Sequence, residues 1–351
     1  MKKIIFISLF ATLFITACKK EIAETEKATE TSLTNSVNAP VNCTGNTWGD
    51  QQLYKGSFIN PPLTYNNKAY LFEVYKHKLF IYDGTNWDSL PMLTPFNQNP
   101  TFVFTIGSKG YLGYTPPWDG PVYGLVAWLW QYDFIAKSWS SKAPYPGLAD
   151  FYQSTFTIGN KGYVVGGTET QPNNGSHRSI NDTWEYNQAT NSWTQKADLP
   201  FFGVSAGTGF SIGNKGYVVN GYYKLNLNPG VNLSDLYEYN PATNAWSFKT
   251  SFPGAKRHFT NVFVIGQAAY AGGGVDSPFY TEGLKDYYKY SPATNAWVSV
   301  ANFPSHEPFF SCFSINSRGY VSYRIAGTNN SAPAYMLKYT PKTCTLQGTS
   351  Q

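Results

Sequence analysis

Charge is scarce in this chain: Lys, Arg, Asp and Glu together make up only 13% of its 351 residues. The net charge is +5, and +3 without Lys2 and Lys3. A surplus so small and so evenly spread excludes a nucleic-acid footprint, which needs a basic face or stripe. Histidine is rare as well. His77, His177, His258 and His306 show no metal-ligand spacing and no adjacent cysteine pair, so neither metal nor cofactor is expected. No Walker sequence is present, and the Gly-Lys pairs have the composition of hairpin turns. The longest apolar run lies at the N-terminus and is too short for a membrane-spanning helix.

Aromatic residues, at 17%, are abundant, with 31 Gly and 22 Pro. That is the profile of a turn-rich β protein.

The N-terminus reads as a targeting segment: basic "MKK", apolar "IIFISLFATLFI", then small residues before Cys18. Its end, "FITAC", resembles the lipobox of bacterial lipoproteins, which implies a leader over 1–17 and lipidation of Cys18. An ordinary signal peptide with a chance cysteine is the alternative. Lys19 follows the cysteine, so the Asp-based inner-membrane retention pattern is absent. The expected location is a bacterial cell envelope, anchored to the outer membrane on its periplasmic or outer side. Residues 18–42, Thr-, Glu-, Lys- and Ala-rich and free of aromatics, are expected to be a flexible tether.

Beyond residue 43 the chain repeats itself. "YNPATNAW" (239–246) returns as "YSPATNAW" (290–297). Tryptophans at 87, 139, 193, 246 and 297 are 51 to 54 residues apart. A second landmark, as in "GNKGY", ends at Tyr70, Tyr111, Tyr163, Tyr217, Tyr270 and Tyr320. Each unit reads as four strands. An alternating run such as "STFTIG" leads to a tight "GNKG" turn, then to a continuously apolar strand such as "YVVGG". A variable loop, a third strand ("TWEYN"), a "PATN" turn and a fourth strand headed by Trp complete it. Four-stranded units at this period predict a β-propeller.

The Gly-Gly pair, the Tyr and the later Trp resemble the kelch repeat, most closely over 150–300. "YVVNG" keeps one glycine of the pair, and "YLFEVY" (70–75) has none. The resemblance implies an all-β, six-bladed kelch-type propeller over 43–351; a seventh Tyr landmark is missing. In the sixth unit Leu346 stands where Trp is expected, while "CTGNTWGDQQL" (43–53) reads as an orphaned fourth strand headed by Trp48. The N-terminal strand around Trp48 is therefore expected to complete the last blade beside residues 335–340 and to remove an open edge. Aligned to the repeat, Cys43 and Cys344 fall in the same turn of that composite blade. A Cys43–Cys344 disulfide is expected, worth about 4–5 kcal/mol in chain-entropy terms. Cys312, in "SCFSI", reads as a small buried residue.

Binding residues are expected on the face carrying the long loops. Thirteen residues before each landmark Tyr stand Ser57, Gln98, Asp150, Val204, Arg257 and Glu307. Repeat symmetry places them round the channel mouth. Asp150, Arg257, His258 and Glu307, with His306, form a candidate polar site, Arg257 binding a carboxylate and Glu307 or His258 moving protons. Equally, the same charges can simply pair with each other. Trp118, Tyr123, Phe151, Tyr152, Phe202, Tyr222, Tyr223, Phe279, Tyr280 and Phe309 map to the same face, as ligand platforms or as loop packing.

Three functions fit. The first is a monomeric, membrane-anchored binding module for a protein or glycan. The second is a sugar-active enzyme; resemblance to sialic acid epimerase implies Arg257, His258 and Glu307 as its machinery. The third is a structural ring in an envelope complex.

Overall fold

The computed structural model describes residues 41–55, 62–92, 95, 98–114, 127–171, 175–225, 230–277, 282–305, 311–324 and 334–346. Cys18, Trp118, Tyr123, Phe279, Tyr280, His306, Glu307 and Phe309 lie outside them, as do the leader and all of the tether but its last two residues.

Contacts divide the chain into two units. One holds Asn46–Pro341; the other holds Met1–Gly45 and Lys342–Gln351. Within the first, the described residues form six four-stranded antiparallel sheets. The third blade is typical: Ser154–Ile158, Lys161–Thr170, His177–Asn187 and Ser192–Lys196 pair in chain order. First strands touch first strands from blade to blade, and Cys312–Ile315 of the sixth contacts Leu63–Tyr65 of the first, closing the ring. In the sixth blade Thr47–Tyr54 pairs with Ala334–Thr340, outside Arg318–Arg324 and Cys312–Ile315. The N-terminal strand thus supplies the last blade's outer strand, as the placement of Trp48 predicts.

Aromatic residues make the core because each blade must bury a flat face against the next. In the second to sixth blades a first-strand Phe stacks on the landmark Tyr, as in Phe156–Tyr163 at 5.0 Å and Phe313–Tyr320 at 5.0 Å. The Phe ring also covers the next blade. A Cβ on Gly162 would lie 2.3 Å from the Phe104 ring, and one on Gly216 2.1 Å from that of Phe156. This is why "KGY" carries glycine before the Tyr.

The "PATN" octets have an equally specific job. The third-strand Tyr hydroxyl donates to the turn Asn two residues before the Trp: Tyr186 to Asn191 at 2.8 Å, Tyr239 to Asn244 at 2.8 Å, Tyr290 to Asn295 at 2.9 Å. Each of these Asn residues adopts φ +48°, a left-handed conformation that Asn tolerates. Its side chain then reaches the preceding blade: Asn191 Oδ1 accepts from Ala143 N–H and Asn244 Oδ1 from Ala197 N–H. The Trp indoles donate to the same two residues' carbonyls. The repeated residues are therefore an inter-blade clamp.

In the other unit, Val41–Thr44 pairs antiparallel with Thr343–Leu346, Cys43 opposite Cys344. The sequence alignment placed both cysteines within the turn of the sixth blade; they lie instead on this separate ribbon. In the third to fifth blades that turn is one continuous "ATN" segment. In the sixth the connection is split between the chain ends, and both ends run on past it and pair. Cys312 is half-buried as a residue, but its sulfur is turned inward against the core, where Sγ–H donates to the Val262 carbonyl at 3.3 Å.

Candidate functional site

A cleft opens where the first strands of the third, fourth and fifth blades begin. It is lined by Phe151, Tyr152, Thr168, His177, Ser179, Ser205, Ala206, Tyr222, Lys224, His258 and Phe259, and holds about 660 Å³ of space, part of it open solvent. The repeat explains its construction. Phe151, Ser205 and His258 stand twelve residues before their landmark Tyr; Tyr152, Ala206 and Phe259 stand eleven before. The cleft is therefore one pair of positions used by three successive blades.

The first member of each pair is held by a bridge to its own blade: Phe151 to Thr168, Ser205 to Tyr222, His258 to Val275. The second members are linked to each other. Ala206 N–H donates to Tyr152 C=O at 3.0 Å, and Phe259 N–H to Ala206 C=O at 2.9 Å. All three have left-handed backbones, with φ of +62°, +52° and +54°. For Tyr and Phe this conformation is uncommon and costs about 1–3 kcal/mol, so the surrounding bonds must impose it.

The repeat's glycines make room for these segments. Gly167 (φ +110°) donates its N–H to Val204 C=O at 2.7 Å, and Gly221 (φ +117°) to Arg257 C=O at 2.9 Å. A Cβ on Gly166 would meet the Val204 carbonyl at 2.4 Å. In the fourth blade Asn220 takes the first glycine's place at φ +57°, and its Nδ2 donates to Thr260 Oγ1 at 2.8 Å. The departure from Gly-Gly in "YVVNG" thus preserves the geometry.

Chemically, the cleft combines aromatic walls with a few polar groups. Among the described lining residues none is a carboxylate, and half-buried Lys224 carries the fixed charge. Its own N–H is held by Ser179 Oγ at 3.1 Å, which positions the start of the side chain. Thr168 and Ser205 share a hydroxyl–hydroxyl bond in the floor. His177 lies edge-on to Phe151, with Nδ1 3.3 Å from Thr170 Oγ1.

His258 is the most specified group. It is 4% exposed, and burial pushes its pKa down to about 4 against a weaker opposing pull from Asp276. It is therefore neutral at pH 7. Asn232 Nδ2 donates to the Asp276 carbonyl at 2.8 Å, which turns Asn232 Oδ1 toward His258 Nδ1 at 2.7 Å. An oxygen there requires the proton on Nδ1, leaving Nε2 as the basic nitrogen.

The other sequence-derived candidates separate. Arg257 is fully buried. It makes a bidentate pair with Asp286 at 2.7 Å on both arms, donates to the Gly273 and Ala255 carbonyls, and lies 4.7 Å over the Phe252 ring. Its guanidinium is committed to the scaffold and does not line the cleft. Asp150 does not line it either; its carboxylate accepts from Thr170 N–H at 2.7 Å. Phe151, Tyr152 and Tyr222 do line it, whereas Phe202 and Tyr223 pack with Phe201 into a separate aromatic cluster, Phe202 being 80% exposed. Ser205, Ala206, Phe259, Thr168, Lys224 and Ser179 are not marked as site residues by the sequence, and His177 enters there only as a histidine without metal-ligand spacing. Reading one and two residues past the chosen offset finds the first three.

A profile of the kelch motif matches residues 152–200. Kelch-like protein 25 of Xenopus tropicalis is 28% identical over 65% of this chain and 37% of its own length. Kelch-like protein terF of Aspergillus terreus is 23% identical over 49% of this chain and 39% of its own. The chain thus spans less than two fifths of these relatives. The solved structure of YjhT superposes with a TM-score of 0.55 at 18% identity, over 66% of this chain and 74% of that one, a likeness of fold. With six four-stranded sheets in a closed ring among the described residues, the chain is a six-bladed β-propeller whose residues 152–200 match the kelch motif.

Proposed function

We propose that this propeller is a binding module, held at a bacterial envelope by a lipid on Cys18, whose ligand enters the cleft across the third to fifth blades. Kelch propellers are generally protein-binding, so a protein segment is the leading ligand and a glycan the second. The observation that carries the reading is the cleft itself. Three blades spend backbone strain at equivalent positions to present Tyr152, Ala206 and Phe259 to one space. Aromatic walls with one lysine and no lining carboxylate among the described residues suit a ligand with a flat or apolar face and one anionic group. The exposed cluster around Phe202 offers a second contact for a longer ligand. The test is a peptide and glycan array probed with the wild-type protein and with Tyr222→Ala/Lys224→Ala. Hits that the double variant loses support the reading; hits it retains in full contradict it.

One observation favours a sugar-active enzyme as the second reading, with sialic acid epimerase as the resembled activity. His258, neutral and fixed as the Nδ1–H form, lines the cleft and has the protonation state of a general base. Mutarotation of sialic acid, measured for the wild type beside His258→Gln, separates the two. Acceleration that His258→Gln abolishes establishes the enzyme; a rate equal to the buffer's removes it.

A further inference from the structure

We infer that Cys43 and Cys344 form a disulfide that ties together the two chain ends from which the composite sixth blade is built. The register in which the two chain ends pair leads there. In the ribbon of Val41–Thr44 and Thr343–Leu346, Cys43 stands directly opposite Cys344. Opposite residues of an antiparallel pair have Cα atoms about 4.5–5.5 Å apart, inside the roughly 4.4–6.8 Å that a disulfide spans. The neighbouring pair shows how closely the two strands lie: Thr44 Oγ1 and Thr343 Oγ1 are 3.4 Å apart.

Position along the chain gives the bond its consequence. Three residues separate Cys43 from Thr47–Tyr54, and three separate Ala334–Thr340 from Cys344. Those two strands are the pair that closes the last blade. In the other blades of the ring, third and fourth strands are joined by the continuous chain. In the sixth the disulfide is the covalent joint that the chain itself does not provide. Cys312 does not compete. Burial pushes its thiol up to about 12, and its Sγ–H is engaged by the Val262 carbonyl.

The reaction is thiol–disulfide exchange. The Cys43 and Cys344 thiols give up two protons and two electrons in all, one S–S bond forms, and a disulfide oxidant such as oxidised glutathione is reduced to two thiols.

The experiment uses the full chain, equilibrated in oxidised glutathione so that its outcome does not depend on where the cell places it. Free thiols are alkylated, the protein is digested without reductant, and its linked peptides are read by mass spectrometry. The expected result is one cross-link joining the Cys43 and Cys344 peptides, Cys312 alkylated, and the linked chain lighter by two hydrogen atoms. Thermal melting then reads the joint: reductant lowers the wild-type Tm by about 5–10 °C. Cys43→Ser shows that lower Tm from the start and no further response to reductant, while Cys312→Ser responds like the wild type. Alkylation of both Cys43 and Cys344 after oxidation overturns the inference. So does a cross-link that includes Cys312, or a wild-type Tm indifferent to reductant.

Discussion

The Tyr339 hydroxyl donates to Asn46 Oδ1 at 2.8 Å across 293 positions of sequence. It is the bond that Tyr239 makes to Asn244 only five residues away. Asn46 has the same left-handed backbone, at φ +60°, and its Oδ1 also accepts from Ala301 N–H. Trp48 completes the match, with its indole donating to the Ala301 carbonyl and its ring 5.1 Å from Tyr339. The interrupted copy of the repeat is restored atom by atom from the two ends of the chain.

Breaking that restoration should be costly far from any ligand. Asn46→Ala leaves the Tyr339 hydroxyl and the Ala301 N–H without their partner and is expected to cost about 1–3 kcal/mol. Trp48→Ala empties a larger space and is expected to cost about 3–5 kcal/mol. Urea unfolding curves check both. Equal midpoints for Asn46→Ala and wild type would show that the clamp is unimportant at the seam.

Glycine at 167 and 221 should be irreplaceable for a backbone reason. Each has a φ above +100° and an N–H bonded to a neighbouring entry segment, so alanine there is expected to lose about 1–3 kcal/mol in strain before any clash. Gly159, at φ +58° in a hairpin turn with nothing within 4 Å of where a Cβ would stand, is the control and should lose less. Denaturant midpoints of the three variants rank them.

Arg257 is a scaffold residue on this account. Arg257→Ala leaves Asp286 without its bidentate partner and should destabilise by about 3–5 kcal/mol. The fraction that remains folded should bind ligand as the wild type does, with calorimetry on monodisperse protein as the check. A folded Arg257→Ala protein that has lost binding would return the guanidinium to the site.

Acid should weaken the protein through His258. Its folded pKa, about 4, lies below the ordinary 6.5, so the unfolded chain binds more protons between those values. Its contribution is therefore fully present above pH 6.5 and is lost as pH falls toward 4. Asp182 works in the opposite direction. Burial raises its pKa to about 6, so its share of stability grows as pH falls through the window between 6 and its ordinary 3.8. The two slopes partly cancel. The difference between the wild-type and His258→Gln stability curves isolates the histidine, and it should widen steadily from pH 4 to 6.5 and then level off. A difference independent of pH would place His258 in solvent.

The scaffold was legible because ring closure demands the same Tyr, Asn and Trp in blade after blade, and near-identical residues leave a period. Trp48 could be assigned for the same reason. The site was only half legible. Landmark counting led to the correct entry segments, but it favoured the ionisable residues at 150 and 257, whose side chains serve the scaffold. The lining lies one and two residues further on, at positions chosen by backbone conformation. A left-handed Tyr152 or Phe259 has no composition signal, since bulky residues are the least expected there. Lys224 was missed because it follows a strand whose last residues, Tyr222 and Tyr223, drew attention as aromatics.

The cleft as ligand site is tested most directly by titrating the strongest array ligand into wild type and Lys224→Ala by calorimetry, with Tm measured for both. Lys224 lines the cleft, and its bonds to Ser179 run through its backbone, which alanine keeps. The account therefore predicts at least about a tenfold loss of affinity, a little over 1 kcal/mol, at an unchanged Tm. Unchanged affinity in Lys224→Ala and in Tyr222→Ala would contradict it and move the binding surface elsewhere on the ring.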